Sequence, residues 1–332
     1  MSKLIKIQDR EEMDRFGSST GYAEMTSDQM KSQQVDAHLI KLESGSRVSA
    51  SCSLWWQSTP AYPPGHRLGV IGHYAADADE SAAVLIKGAC RHLAAQGCSY
   101  AIGPMEGNTW RKYRMITQRG SEPVFFLEPD NPDSWPFHFL NAGFAPIATY
   151  FSALNTGLKY QTSKFEALEK HLVQAGIHIR SIRLDPFKGE LAHLYPLVSN
   201  CFKDNFLFTP LPESEFITTY HSLKPYIDPE LALIVEHAGR PVGFVLGIPD
   251  ILQLNRKSSI DTMILKTLAV HPGYRGCGLG HLLIAKCRSK AMDAGFSRLI
   301  FALIKTDNVS GKISSHYARP IRKYSLFGRR II

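Results

Sequence analysis

One short stretch, Leu268–Gly280, restricts the fold more than any other part of the chain. The residues leading into it, Met263–Val270, are mostly large aliphatic residues and predict a strand. The residues after it, His281–Ala294, carry apolar side chains at helical spacing and predict a helix with one buried face. The segment between these two elements contains the closely spaced glycines Gly276, Gly278 and Gly280. The stretch is therefore predicted to be a strand, a tight glycine turn and the beginning of a helix.

This turn has the chemistry of an anion-binding site. Glycines allow backbone N–H groups to approach a ligand without interference from a Cβ atom. The first turn of a helix adds unpaired N–H groups and the positive end of the helix dipole. Arg275, directly before the first glycine, adds a charge that suits a phosphate. The glycine spacing fits neither the dinucleotide fingerprint nor a P-loop, so the predicted ligand is a different pyrophosphate.

The pattern Arg275-x-x-Gly278-x-Gly280, after a strand that ends in Leu-Ala-Val-His-Pro, resembles motif A of the GNAT superfamily of N-acetyltransferases. In that family the turn holds the pyrophosphate of acetyl-CoA, and the motif strand pairs with the pantetheine arm. The resemblance therefore implies that acetyl-CoA is bound here as a cosubstrate. The cofactor-binding residues that it implies are Leu268, Ala269, Val270, Arg275, Gly276, Cys277, Gly278, Leu279, Gly280 and, at the start of a later helix, Asn308.

The two halves of the chain repeat one order of predicted elements: hairpin, strand, turn, helix, strand, short helix and strand. The matched pairs are the strands Arg67–Tyr74 and Met263–Val270, the helices Asp77–Ala95 and Gly278–Ala294, and the strands Ser99–Met105 and Leu299–Lys305. The segment from Asn131 to Phe144 also resembles the usual end of a GNAT domain. We predict an α/β fold with a mixed sheet and two tandem GNAT-like domains. Residues 1–158 form a degenerate domain with a polar N-terminal arm, and residues 159–332 form the domain with the acyl-CoA site.

The two halves differ at the predicted phosphate turn. The first half reads Ala75-Ala76-Asp77-Ala78-Asp79-Glu80, with no glycine, no arginine and three carboxylates. The carboxylates suit the helix dipole but repel a pyrophosphate. At ~5 Å and an effective dielectric of ~20, each pair of like charges costs about 3 kcal/mol. Between His271 and Met292 the second half contains no acidic residue. Only the second domain is therefore expected to bind CoA in the usual way.

The resemblance implies acyl transfer to an amine, which needs a base for the amine and an acid for the leaving thiolate. Family members often use a Glu on or near the motif strand and a Tyr seven residues after the helix-starting Asn. Here the motif strand has a carboxylate only at its start, Asp261, and Ser315 occupies the tyrosine position. We predict Glu236, on the preceding hairpin, as the base and Tyr317 as the acid. Alternatively, Glu236 is a solvated strand residue, and Tyr317 points elsewhere because two helical positions differ by about 200°.

A second segment with interleaved aromatic and basic residues is Gly107–Arg114. Trp110 and Tyr113 alternate there with Arg111 and Arg114, so the segment could stack on a ligand and neutralise it. It could equally pack its aromatic residues into the core and leave its arginines in solvent. The sequence leaves both alternatives open.

Composition limits the remaining possibilities. A chain of 332 residues is expected to form two domains, and no apolar run approaches the length of a membrane span. The polar N-terminus lacks a signal-peptide core, and the six cysteines form no C-x-x-C pair. We therefore expect a cytoplasmic protein with free thiols, no metal site and no membrane partner. The net charge is +8, and the segment after Asp307 contains several basic residues and no acidic residue. Because no nucleic-acid motif accompanies this charge, we expect no nucleic-acid partner.

The predicted function is an acyl-CoA-dependent N-acyltransferase, most simply an N-acetyltransferase. Its acceptor is the primary amine of a small molecule, a protein or a peptide. The alternative is a non-catalytic CoA-binding or sensor protein with the same fold. A third hypothesis is a scaffold whose basic C-terminus binds an acidic partner. The two CoA-binding hypotheses require acetyl-CoA binding that depends on Arg275, whereas the scaffold does not.

Overall fold

A computed structural model describes residues 3–7, 10–16, 25–44, 47–158, 163–256, 259–306 and 318–331. Its strands are β1 (Lys3–Ile7), β2 (Ala37–Leu42), β3 (Val48–Trp55), β4 (Leu68–Ala76), β5 (Tyr100–Gly103), β6 (Met115–Gln118), β7 (Ala145–Asn155), β8 (Ile177–Ser181), β9 (Ala232–His237), β10 (Arg240–Pro249), β11 (Thr262–Val270), β12 (Arg298–Lys305) and β13 (Arg319–Arg330). Its helices are α1 (Arg10–Phe16), α2 (Ser27–Ser32), α3 (Asp79–Ala95), α4 (Trp135–Asn141), α5 (Ser163–Gln174), α6 (Phe187–Phe202), α7 (Glu213–His221) and α8 (Leu279–Asp293).

All these strands belong to one mixed sheet. The order is β1-β2-β3-β4-β5-β13-β7-β12-β11-β10-β9-β8, and β6 pairs with β13 beside β5. Among the described strands two neighbouring pairs are parallel, β4 with β5 and β11 with β12, and each is connected by a long helix, α3 or α8. These are the two strand–helix–strand units that the sequence repeat predicts. The predicted mixed α/β fold with two GNAT-like units is confirmed.

The two halves share their central strands. The C-terminal strand β13 lies between β5 and β7, both from the first half, while β7 pairs on its other edge with β12 from the second half. On β13, the guanidinium of Arg322 donates to the carboxylate of Glu128 at 2.7 Å, and both side chains are fully buried. Arg319 pairs with Glu122. Part of the basic C-terminal sequence therefore joins the two halves. The domain boundary at residue 158 stays a proposal about the order of elements along the chain, since the strands of both halves form one sheet.

The structure corrects the predicted polar arm. Lys3–Ile7 forms strand β1, which pairs antiparallel with β2 and so extends the sheet at its edge. Two short helices follow, α1 and α2. The buried side chains that hold them are Ile7, Met13, Met25, Ile40 and Val48. These apolar residues are spaced widely among polar ones, so their shared cluster has no local signature in the sequence.

The sheet around β11 is covered by a helix on each face. Alternate residues of β9 and β10 point to opposite sides, as a strand requires. Val235 and Val245 pack with α8, whereas Ile234 and Phe244 pack with α6. The carboxyl end of β11 is thereby fixed between the start of α8 and the end of α6. None of the described helices is both long enough and apolar enough to cross a membrane.

Candidate active site

The glycine turn after β11 exposes its backbone. Gly276 and Gly278 both have φ of +84°, a left-handed conformation that favours glycine. A Cβ atom at Gly276 would meet nothing within 4 Å, so the space beside it is open. Gly278 is the N-cap of α8, and no side chain caps this helix end. The first N–H groups of α8 therefore lack side-chain partners, as an anion site requires.

Arg275 lies exposed beside these groups. Its Nε donates to the Val270 carbonyl at 3.3 Å, and its Nη2 lies 3.5 Å from the Cys201 carbonyl, which holds the guanidinium where β11 and α6 end. In the described ranges no carboxylate pairs with Arg275. Cys277 is also exposed, and its thiol donates to the Tyr274 carbonyl at 3.0 Å. The turn thus presents one free positive charge and open backbone, as predicted for a pyrophosphate.

The two parallel strands next to the turn separate. The ladder between β11 and β12 ends at the pair Leu265–Phe301, although β11 continues to Val270 and β12 to Lys305. Beyond that pair the facing edges of Leu268–Val270 and of β12 are parted, which opens a slot between them. This slot is where the sequence resemblance places the pantetheine arm.

Both strands carry a β-bulge where they separate. On β11, Thr267 pairs with Leu246 and Leu265 with Gly247, which leaves Lys266 without a partner on β10. On β12, the bulge contains Leu303, whose φ is +57°. Bulges are frequent next to active sites because they redirect a side chain. Here they turn Lys266 and the backbone of Leu303 toward the opening.

Two adjoining cavities occupy this opening. The first, of about 190 Å³, lies between the separated segments Leu265–Leu268 and Phe301–Lys305. The second, of about 250 Å³, is bounded by aromatic residues of both halves. The residues common to both cavities are Tyr113, Phe202, Asn205, Phe206, Lys266, Thr267, Ala302 and Leu303. A ligand in the first cavity would therefore meet a ligand in the second at the separation of β11 and β12.

The first half supplies part of the second cavity through Gly107–Arg114. Trp110 packs against Phe202 and donates from Nε1 to the Thr209 carbonyl at 2.9 Å. The guanidinium of Arg114 lies 3.8 Å from the ring of Tyr113 and 4.0 Å from the ring of Tyr150, and it donates to the Leu303 carbonyl at 3.0 Å. Trp110 packs against its neighbours as the second alternative predicts, but Arg114 is buried and not in solvent. The segment also lines the cavity, and its binding of a ligand stays a prediction.

The cavities are cationic as well as aromatic. Their described lining residues include Arg114 and Lys266 and contain no Asp, Glu or His. Burial, together with the charge of Arg114, lowers the pKa of Lys266 to about 8. Lys266 is not among the site residues predicted from the sequence. It is the single charged residue of an otherwise uncharged strand.

The predicted base Glu236 does not line this opening. It lies on β9, where its carboxylate accepts a hydrogen bond from Arg180 at 2.6 Å and lies 3.3 Å from His193. The Arg180 hydrogen bond lowers the pKa of Glu236, and Glu236 does not line either cavity. This placement argues against the predicted role of Glu236 as the base. Tyr317, predicted as the acid, lies outside the described residues, as do Ser315 and the predicted cofactor residue Asn308.

The corresponding opening in the first half is filled. The ladder between β4 and β5 ends at Val70–Ile102, but the Met105 amide donates to the Ile71 carbonyl at 2.9 Å and closes the gap. A Cβ atom at Gly72 would lie 2.1 Å from the Met105 carbonyl oxygen. The first half therefore has no slot between these strands that resembles the one beside β11.

Comparisons with known proteins agree with this geometry. The model of the acetyltransferase (GNAT) family matches residues 192–311. A bacterial ceramide synthase from Caulobacter vibrioides is 26% identical over 208 residues, which are 62% of this chain and 53% of that protein. The match therefore spans about half the length of this curated relative.

Solved structures show the same fold over the whole chain. A tandem GNAT protein from the clavulanic acid biosynthesis pathway is 10% identical, with a TM-score of 0.52 over 100% of this chain and 99% of that one. A GCN5-related N-acetyltransferase from Sphaerobacter thermophilus is 11% identical, with a TM-score of 0.52 over 99% of this chain and 96% of that one. Residues 192–311 thus match the GNAT family model, and the whole chain has the fold of tandem GNAT proteins.

Proposed function

We propose that the chain transfers the acyl group of an acyl-CoA, with acetyl-CoA as the simplest donor, to a primary amine. One observation carries the proposal: the open separation of β11 and β12 continues directly into an uncapped helix N-terminus with two left-handed glycines. The first element suits an extended arm that ends in a thioester. The second suits a pyrophosphate at the other end of that arm. The open edge belongs to the end of β11 and the helix N-terminus follows it directly, so one acyl-CoA molecule could occupy both.

The donor would be held by residues with different roles. The backbone of the segment from Gly276 to Gly280 and the side chain of Arg275 suit the phosphates. The free edge of β11 at Leu268–Val270 suits the amide groups of the pantetheine arm. Asn308 stays a prediction for the same ligand. The donor supplies a thioester, and the remaining chemistry falls to side chains around the two cavities.

The acceptor cavity supports a hydrophobic amine. Its walls include Trp110, Phe126, Phe202 and Phe208, and the charged side chains among its described lining residues are all positive. A polycationic amine would be repelled there, since none of the described lining residues is a carboxylate that could offset its charge. The name of the Caulobacter relative also supports this substrate class, because a ceramide is an N-acylated long-chain amine. A small molecule or lipid amine fits a cavity of about 250 Å³ better than a folded protein surface does.

Two further observations concern the compartment and metal binding. All six cysteines are free thiols, which is compatible with the cytoplasm as the proposed compartment. No group of described His, Cys, Asp and Glu residues is arranged to hold a metal ion.

Release of free thiol from acyl-CoA in the presence of an amine tests the proposal. The purified chain is mixed with acetyl-CoA or a longer acyl-CoA and with phenethylamine, dodecylamine or spermidine. We expect thiol release with the two hydrophobic amines and at least tenfold less with spermidine. Tight acetyl-CoA binding without thiol release from any amine would instead establish the CoA-binding sensor. Equal rates with spermidine would contradict the hydrophobic acceptor.

A further inference from the structure

We propose that Lys266 is the general base of this reaction and that its neutral amino group takes the proton from the attacking amine. The inference rests on the proposed acyl transfer and adds to it the residue that the predicted Glu236 does not provide. The first observation that supports it is the position of Lys266. Lys266 is the bulged residue of β11, one residue beyond the last pair with β12, and it lines both cavities. It lies where the donor and the acceptor would meet.

No other group around the cavities can take this role as readily. The titratable or charged side chains that line them besides Lys266 are Tyr113, Arg114, Tyr150, Tyr220 and Lys305. Burial raises the pKa values of Tyr150 and Tyr220, so these phenols keep their protons. Arg114 offers hydrogen-bond donors only, since a guanidinium has no acceptor. Among the described lining residues, Lys266 is the amine whose surroundings favour the neutral, proton-accepting form.

The environment of Lys266 favours its neutral form. No described carboxylate forms an ion pair with Lys266, and Arg114 on the facing segment adds a like charge. Both effects act in one direction, and the pKa falls to about 8. A base near 8 is neutral in a useful fraction of molecules at pH 7.5. The neutral fraction falls about tenfold for each pH unit below 8.

The chemical step balances with one lysine. The amine nitrogen forms a bond to the thioester carbonyl carbon, and Lys266 accepts the proton that this nitrogen loses. The C–S bond then breaks, its electron pair stays on sulfur, and the thiolate receives the proton from the Lys266 ammonium. Because an ordinary thiol has a pKa of about 8.5, this return is close to balanced. The products are an amide and free CoA thiol, and Lys266 is neutral again.

The kinetic test compares two variants of one residue with a control. Lys266→Met removes the base, and Lys266→Arg keeps a positive charge that does not titrate in this range. Lys87→Met, on the exposed face of α3, is the matched control. With acetyl-CoA and dodecylamine, we expect a loss of kcat of at least about 100-fold for both Lys266 variants and none for the control. The Kd for acetyl-CoA should change less than threefold.

The outcomes separate the two proposals. If the wild-type chain releases thiol and Lys266→Met releases it equally fast, the base is contradicted and acyl transfer stands. If Lys266→Arg restores the rate, Lys266 acts as a fixed charge and the base is again contradicted. If the wild-type chain releases no thiol with any amine, the proposed function itself fails.

A second readout does not depend on turnover. NMR of the chain with 15N-labelled lysine, assigned with Lys266→Arg, follows the Lys266 amino group as the pH is raised. We expect a midpoint near 8, and the wild-type kcat should rise with pH through the same midpoint. A midpoint near the ordinary lysine value of about 10.4 would overturn the proposal.

Discussion

The two parallel strand pairs of this protein have the same topology, but one pair separates to leave an open slot and the other is closed by backbone. Each pair joins its strands through a long helix, and each ladder is short, ending at Leu265–Phe301 in one case and at Val70–Ile102 in the other. Beside β11 the separation opens into two cavities. Beside β4 the chain fills the gap with its own backbone at Met105. Topology therefore positions a slot, and the residues at its edges decide whether the slot exists.

The turns that follow the two strands differ in the same sense. After β11 an exposed arginine is followed by two left-handed glycines, and the space beside the first of them, Gly276, is open. Behind β4 the carboxylate of Asp77 pairs with Arg47 at 2.6 Å, and that of Asp79 accepts from His138 at 3.0 Å. The carboxylates of the first turn thus have partners within the fold, whereas the second turn has the exposed arginine and open backbone that suit an anion.

The strand bulges extend this comparison to chemistry. β4 also carries a bulge, which contains His73, but the imidazole lies 3.0 Å from Ser53 and 3.6 Å from Glu106. Lys266, on the bulge of β11, has no such described partner. The first half instead contributes Trp110 and Arg114 to the wall of the second cavity. One GNAT-like unit can therefore serve as a scaffold for the other.

The largest expected effect comes from adding one methyl group to each unit. Gly72→Ala places a Cβ atom against the Met105 backbone and should lower the free energy of unfolding by about 3 kcal/mol or more. Gly276→Ala meets no atom and should cost only about 1 kcal/mol, from its left-handed backbone. Urea unfolding of both variants measures the difference. Equal losses would mean that the first opening is not closed as described.

Arg275→Glu should produce the next largest effect. It replaces attraction for a pyrophosphate with repulsion, so the Kd for acetyl-CoA should rise at least about 100-fold, or about 2.7 kcal/mol. Arg91→Glu, on the exposed side of α3 in the first unit, is the matched control and should leave the Kd unchanged. Isothermal titration calorimetry measures both. Unchanged binding by Arg275→Glu would remove the turn from the CoA site.

Lys266→Met should make the fold more stable. Burial holds the pKa of Lys266 at about 8, below the unfolded value of about 10.4, so the protonated folded state carries a penalty. The difference between pKa values of about 8 and about 10.4 corresponds to about 3 kcal/mol, and the partial exposure of Lys266 to solvent reduces the expected gain in the free energy of unfolding to about 2 kcal/mol below pH 8. The gain should vanish above about pH 10.5. In the wild-type chain, stability rises with pH between these values. Urea unfolding at pH 7 and pH 10.5 checks this, and a pH-independent gain would contradict the lowered pKa.

The smallest expected effect is that of Glu80→Gln. This exposed residue lies in the first turn of α3, where its charge favours the helix dipole. Its loss should cost about 0.5 kcal/mol of stability and should create no acyl-CoA site, because the slot beside β4 stays filled. Thermal unfolding and a titration with acetyl-CoA check the two statements. A second binding event in this variant would show that charge alone kept the first unit empty.

Local features of the fold were predictable from the sequence. The strand, glycine turn and helix around Leu268–Gly280 were placed within a few residues, since apolar periodicity and glycines act over short distances. The repeat also identified α3 and β4. The insertion of β13 between β5 and β7 was not predictable, because it pairs strands that are far apart in the chain and leaves no local pattern.

The candidate site was likewise predictable in part. Arg275 and Gly278 lie where the turn chemistry placed them, because the motif is contiguous. The base was sought among carboxylates, and Glu236 was chosen, although its Arg180 partner lies 56 residues away and is not visible as a neighbour in the sequence. Lys266 acquires its properties from a bulge and from Arg114 in the other half, which are both tertiary features. Such sites follow from packing and not from spacing.

The number of acetyl-CoA molecules bound by each chain tests the central claim most directly. A calorimetric titration of the wild-type chain should give one site per chain, and Arg275→Glu should abolish it under the same conditions. That result is required if the two units share a fold and only the second has an open slot and an anion-binding turn. Two sites per chain, or one site that survives Arg275→Glu, would contradict the account.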